Sequence, residues 1–186
     1  MSKGKLFVIS GASGVGKSTV LSRVMDTRKD LIFSVSATTR APRPGEVDGV
    51  DYYFVSNEKF QEMIDANQFL EYDIHMKTCY GTPAAQVNEK LERGNVILDI
   101  EPNGAFNVRR ARPDATLIFI MPPSWEALEN RLRSRGDTTP EQIEIRLGRA
   151  KWEMEQRSWY DHVLVNDDLA VCVKEILDII AEKANG

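Results

Sequence analysis

Short continuous apolar runs alternate along this chain with stretches in which apolar residues recur at helical spacing. Leu6-Phe7-Val8-Ile9, Leu31–Val35, Asn95–Ile100, Ala115–Met121 and His162–Asn166 are of the first kind, the pattern of strands in a buried parallel sheet. The periodic stretches predict helices. Lys17–Thr27 carries Val20, Leu21 and Val24 on one face, and Asn57–Ala66 turns Phe60, Met63 and Ile64 inward behind a Ser56 N-cap. A further helix is expected with Pro83 at its first position and Gly94 past its end. Ser124 caps WEALENRLRSR, which ends at Gly136, and Thr139-Pro140-Glu141-Gln142 is a capping box opening a second helix. That helix has Ile143, Leu147, Ala150 and Met154 as its stripe, and Leu169–Ala184 closes the chain with Val173, Ile176, Leu177 and Ile180 inward. Strands of the parallel type alternating with amphipathic helices place the chain in the α/β class.

The first strand-to-helix step carries the clearest chemistry. Gly11, Gly16, Lys17 and Ser18 in GASGVGKS satisfy the G-x-x-x-x-G-K-[ST] spacing, in the strand–loop–helix context that motif requires. Glycines at 11, 14 and 16 let the backbone turn its N–H groups inward, and the helix N-terminus adds its dipole. Gly11, Ala12, Ser13, Gly14, Val15, Gly16, Lys17, Ser18 and Thr19 are therefore expected to cradle the oxygens of a nucleoside triphosphate. Lys17 is expected against the β- and γ-phosphates, and the Ser18 hydroxyl on Mg²⁺. A glycine-rich turn with an incidental lysine is the alternative, and strand, loop and helix in register argue against it.

Composition narrows the partners. The 186 residues can bury roughly 70% of the unfolded surface, so one core domain with insertions is expected. With 24 basic and 28 acidic residues the net charge is −4, which argues against a general nucleic-acid or anionic-membrane surface. Cys79 and Cys172 form neither a disulfide framework nor a zinc spacing, so a reducing cytoplasm is the expected setting. The first apolar run is too short for a signal-peptide core, and none reaches the ~18 residues that cross a bilayer.

Residues 34–55, SVSATTRAPRPGEVDGVDYYFV, crowd hydroxyls, arginines, prolines and glycines into a stiff, irregular or short-stranded excursion. Arg40 and Arg43, held across a proline, suit bidentate phosphate binding. Surface pairing with Glu46 and Asp48 is the alternative, weakened by that stiffness and by the phosphate loop upstream.

With ISGASGVGKST before it, this segment resembles the nucleoside-monophosphate-binding segment of guanylate kinases. The resemblance continues through FLEYD (69–73), YGT (80–82), ILDIE (97–101) and VNDD (165–168), nearly the whole chain. It implies a P-loop NTPase fold, with a central parallel sheet flanked by helices, a small β-rich insertion for the monophosphate and a helical lid. In a single domain, residues 1–33, 83–123 and 158–186 would be core, 34–82 the GMP-binding region and 124–157 the lid.

The resemblance also implies roles. Glu71 matches the position that accepts from guanine N1 and N2, and Ser36 and Thr82 match hydroxyls near the base; a carboxylate with hydroxyls complements guanine's donors. Arg40, Arg43, Tyr52 and Tyr80 match groups on the acceptor phosphate, Glu46 their orienting partner, and Asp99 a carboxylate near the acceptor or the metal's water shell. Arg135 and Arg146 match lid arginines, and with Lys17 and Arg43 they form the expected catalytic set. Arg131 and Arg149 are weaker candidates, and for Arg149 ordinary helix pairing with Glu153 is the favoured alternative. Asn166 resembles a residue beside adenine. Two departures stand out: Lys77-Thr78-Cys79-Tyr80-Gly81 replaces the family's Gly-Asn-Tyr-Tyr-Gly, and Glu101 replaces an aspartate. The implied activity is Mg²⁺-dependent transfer of the ATP γ-phosphoryl group to GMP. A P-loop kinase for another small acceptor, or a non-catalytic protein-binding module of the same type, are the alternatives. Intact Lys17 and Ser18 argue against the module, and Glu71 with Ser36 and Thr82 against another acceptor.

Overall fold

The structure, a computed structural model, describes residues 4–75, 78–134 and 139–185. Lys77, and Arg135 and Gly136 at the expected end of the first hairpin helix, lie outside the described residues. By its contacts the chain forms two compact units. One comprises the start of the chain through Leu6 with Asp30–Ala115; the other comprises Phe7–Lys29 with the chain from Thr116 onward.

The second unit is built on parallel strands. β1 (Leu6–Gly11) pairs with β8 (Thr116–Met121), Val8 opposite Leu117, and β8 pairs with β9 (His162–Val165), Ile118 opposite His162. Phe7, Ile9, Leu117, Ile118 and Phe119 are all fully buried, as continuous apolar runs require, each contributing about 1.5–3 kcal/mol from burial. α1 (Lys17–Thr27) begins just after Gly16, buries Val20, Leu21 and Val24, and packs against α7 (Leu169–Asn185). α5 (Trp125–Arg133) is capped by Ser124, whose hydroxyl accepts from Ala127 N–H. α6 (Pro140–Glu155) carries the full capping box, Thr139 with Gln142. Its buried stripe differs from expectation in one place: after Ile143, Leu147 and Ala150 the fourth buried residue is Glu153, with Met154 only half-buried. The carboxylate goes inward because two donors await it there.

In the first unit β2 (Ile32–Phe33) pairs in parallel with β7 (Val96–Asp99), and Val96 N–H donates to Lys5 O, so the chain start runs beside β7. The expected strand Leu31–Val35 shrinks to two residues because the chain leaves this pairing after Ser34, whose N–H still donates to Ile97 O. It enters a second sheet ordered β4-β3-β6-β5: β4 (Tyr53–Phe54), β3 (Ala37–Thr38), β6 (Thr78–Pro83) and β5 (Phe69–His75). Residues 34–55 are thus short-stranded, and Gly45 and Gly49 turn at φ 90° and 76°. α2 (Asn57–Asp65) has the Ser56 cap and buries Phe60.

Two helices in this unit depart from expectation. α3 (Ala84–Leu91) begins one residue later than predicted: Pro83 is still paired with Phe69 in β6, and the first helical N–H, that of Ala84, donates to Gln68 O. α4 (Pro102–Ala111) has no counterpart among the expected helices; Pro102 starts it, and Gly104, Ala105 and Val108 are buried. Among the described residues no helix is long and apolar enough to cross a membrane.

Candidate active site

In the second unit the segment from Gly11 to Ser18 forms a loop closed by a hydrogen bond from Val15 N–H to Ala12 O. Gly14 and Gly16 adopt φ 88° and 93°, the left-handed region in which a side chain is strained. Space enforces the same choice, since a Cβ on Gly14 would stand 2.6 Å from Leu132 Cδ2. Gly16 is the N-cap of α1, so the first helical N–H groups open directly from the loop, with Ser18 and Thr19 exposed at that end.

Residues distant in sequence hold the loop from outside. Asn166 is buried, and its Nδ2 donates to Val15 O at 2.8 Å. Arg131 donates from Nη1 to the same carbonyl and from Nη2 to Asn166 O, at 3.1 and 3.0 Å. Arg146 reaches Ser13 Oγ through Nε at 3.3 Å. Arg149 pairs with Glu153 at 3.0 Å, the alternative its spacing allows. Arg135 lies outside the described residues.

In the first unit a cationic and aromatic cluster forms around Arg40. Its Nη1 and Nη2 donate to the two carboxylate oxygens of Glu46 at 2.9 and 2.8 Å, and Arg43 N–H donates to Glu46 Oε2 at 2.6 Å. Those bonds, the Arg40 pair foremost, hold the Glu46 carboxyl down at about 2, and the Glu46 bonds raise the Arg40 pKa, with Tyr80 adding to them. The Arg40 guanidinium stands over the Tyr52 ring at 5.3 Å, and Tyr52 meets Tyr80 edge-on at 5.9 Å. Burial, and next the charge of Asp99, push the Tyr52 phenol pKa up, which places Asp99 in the same neighbourhood. Ser36 anchors the sheet beside this cluster by accepting Tyr53 N–H at its carbonyl.

On β5 and β6 of the same sheet, Glu71 stands opposite Thr82 and Asp73 opposite Tyr80. Glu71 is only 6% exposed and accepts from the Thr82 hydroxyl at 2.5 Å. Burial pushes its carboxyl up to about 7; the Thr82 bond opposes this, and the charges of Asp73 and Glu101 add to it. The backbone of α4 presses on this carboxylate: a Cβ at Gly104 would lie 2.6 Å from Glu71 Oε2. Asn103, next to it, donates to Asp73 at 3.2 Å.

Thus Arg40, Glu46, Tyr52, Tyr80, Glu71, Thr82 and Asp99 share one unit, and the loop, Asn166 and Arg146 share the other. Sequence reasoning missed α4 at Glu71 and Glu153 at the loop. Pro102 followed by Arg109 and Arg110 in the last turn is a usable helix signal for α4; nothing in the local pattern separates Glu153 from a solvated helix residue.

A parallel sheet flanked by helices, with a glycine loop of this geometry running into a helix, defines a P-loop nucleotide-binding protein of the α/β class. The sequence profile described as "Guanylate kinase" matches residues 3–183. Two curated relatives named guanylate kinase come from Thermus thermophilus, 49% identical over 96% of this chain and 81% of its own length, and from Clostridioides difficile, 45% identical over 98% and 90%. A crystal structure of guanylate kinase from Anaplasma phagocytophilum superposes with a TM-score of 0.81 at 31% identity, covering 98% of this chain and 87% of that one. The chain belongs to the guanylate kinase family, and it is an enzyme of the nucleoside monophosphate kinase type.

Proposed function

We propose that the chain transfers the γ-phosphoryl group of ATP to GMP, giving ADP and GDP. The observation that carries this reading is the pair of polar clusters on one sheet. Glu71 with Thr82 offers guanine an acceptor for its N1–H and N2 amine, and Arg40 with Tyr52 and Tyr80 offers donors to a phosphate. Glu46 accepts from both arms of the Arg40 guanidinium and from the Arg43 backbone N–H, so the Arg40 fork and the turn that carries Arg43 are held before a nucleotide arrives. Ser36 and Asp99 complete the acceptor set as hydroxyl and carboxylate.

In the donor set, the loop from Gly11 to Thr19 binds the ATP phosphates, with Lys17 on the β- and γ-phosphates and Asn166 behind the loop, towards the base. Among the described residues no group of three or more His, Cys, Asp or Glu side chains is placed to hold a metal. Mg²⁺ keeps most of its water and takes the substrate's phosphate oxygens, so the exposed Ser18 hydroxyl would suffice as its protein ligand. Bound there, Mg²⁺ would neutralise charge on the transferring group. The chain's own residues align the attacking phosphate oxygen, deliver Arg146 and Arg135 to the developing charge, and exclude water that would hydrolyse ATP.

Turnover with ATP and Mg²⁺ across GMP, IMP, AMP, CMP and UMP tests the reading. GMP is expected to lead, with IMP weakened by loss of the N2 amine, because one Glu71 oxygen then loses its donor while N1–H still pairs with the other. Equal turnover of GMP and AMP would overturn the assignment of Glu71 to the base.

A further inference from the structure

The phosphate loop is gripped by a carboxylate 140 residues further along the chain. Glu153 on α6 is 2% exposed, and both of its oxygens are engaged: Oε2 accepts Ser13 N–H at 2.7 Å and Oε1 accepts Arg149 Nε–H at 3.0 Å. Earlier on the same helix, Arg146 donates to the hydroxyl of the same serine at 3.3 Å. Ser13 is therefore held at its main chain by one residue of α6 and at its side chain by another. A carboxylate withdrawn from water persists only where donors replace its hydration, and a glutamate so placed fixes whatever it accepts from.

The consequence lies in the direction of the loop's N–H groups. Ser13 N–H is committed to Glu153, while Val15 O is committed to Asn166 and Arg131, so these polar groups of the loop are tied to protein. The left-handed turns at Gly14 and Gly16 lie between and beyond these anchors. We infer that Glu153 is a positioning residue for the donor triphosphate: it pins the first half of the loop so that the N–H groups after Ser13 face inward, and it sets the Ser13 hydroxyl against Arg146. This rests on the reading of the loop as the ATP site. The rival reading of the same contact is that the carboxylate occupies a place a phosphate will take, in which case it competes with ATP.

The two differ in sign, and steady-state kinetics with ATP and GMP varied in turn separates them. Glu153→Ala is expected to raise the KM for ATP roughly tenfold or more and to lower kcat, while the KM for GMP stays within about twofold. Glu153→Gln has one acceptor oxygen where the native residue has two, so it must abandon either Ser13 or Arg149 and should fall between native and Ala. If Glu153→Ala does not fold, the same split between the two KM values is read from Glu153→Gln. An unchanged or lowered KM for ATP, or an equal rise in both KM values, overturns the inference. Lys17→Ala is the control on the loop itself. If it impairs ATP use while the Glu153 variants do not, the positioning role alone fails; if it leaves ATP use intact, the loop reading falls and the inference with it.

Discussion

At the scale of single residues, the most consequential is Glu71, because its protonation competes with its proposed task. Guanine presents donors to it, so only the ionised carboxylate binds well, yet burial holds the pKa near 7. The KM for GMP is therefore expected to rise as pH falls below 7, by about tenfold per unit, with no parallel change in the KM for ATP. A flat GMP profile between about pH 6 and 8, roughly one unit either side of 7, would contradict it. Stability runs the other way. A carboxyl whose folded pKa lies above its unfolded value of 4.5 favours the native state most below that value, and the benefit is lost as pH rises to about 7. Without nucleotide, native protein should lose stability on the order of 3 kcal/mol over that range relative to Glu71→Gln, as read from urea unfolding at each pH. Arg146 makes a different kind of contribution. Its contact with Ser13 leaves it beside the loop, and its proposed target is charge that appears only during transfer. Arg146→Ala should lower kcat on the order of 10³-fold with both KM values little changed; a pure KM effect would remove it from the transition state.

At the scale of elements, α4 shows where local pattern runs out. Asn103 and Gly104 are poor helix formers that mask the signal Pro102 and the terminal arginines give, and the helicity of PNGAFNVRRA is won by burying Gly104, Ala105 and Val108. The phosphate loop is legible for the opposite reason. Its glycines answer a backbone demand that is entirely local, φ values of 88° and 93°, and the flanking strand and helix each announce themselves. Arg40 with Glu46 is also legible, since a proline-stiffened turn brings them together within a few residues. The burial of Glu71 is not, because it depends on a helix that begins some thirty positions later. That dependence is testable. Gly104→Ala puts a methyl where Glu71 Oε2 already stands 2.6 Å away, so the carboxylate must shift by several tenths of an ångström or more. A drop in kcat/KM for GMP of about tenfold or more is expected, with the KM for ATP unchanged, since a misplacement near 1 Å at a positioning group has large effects. An unaltered GMP constant would mean the contact is soft.

At the scale of the whole molecule, the two substrates are expected to address different parts of the chain. The residues proposed for GMP all fall in Asp30–Ala115, whereas those proposed for ATP fall in Phe7–Lys29 and beyond Thr116. No stretch of the sequence marks this division. The unit boundaries near Leu6 and Ala115 cut across runs that read as uniform strands, and the segment Val96–Ile100, which looks like core, belongs with the GMP residues. Amide hydrogen exchange makes the division observable. A ligand that binds only the folded form raises local opening free energies by up to RT ln(1 + [L]/Kd), about 2.7 kcal/mol at a hundredfold excess over Kd. With GMP alone, protection should increase in 37–54 and 69–83, which carry the Arg40 and Glu71 clusters, and not in the phosphate loop. With a non-hydrolysable ATP analogue alone, protection should increase from Gly11 through α1 and around Asn166 and Glu153, and not in β5 or β6. Arg43→Ala should abolish the first pattern and Lys17→Ala the second, each leaving the other intact. If either nucleotide alone protected both sets of amides to the same degree, the assignment of donor and acceptor to separate parts of the chain would be wrong.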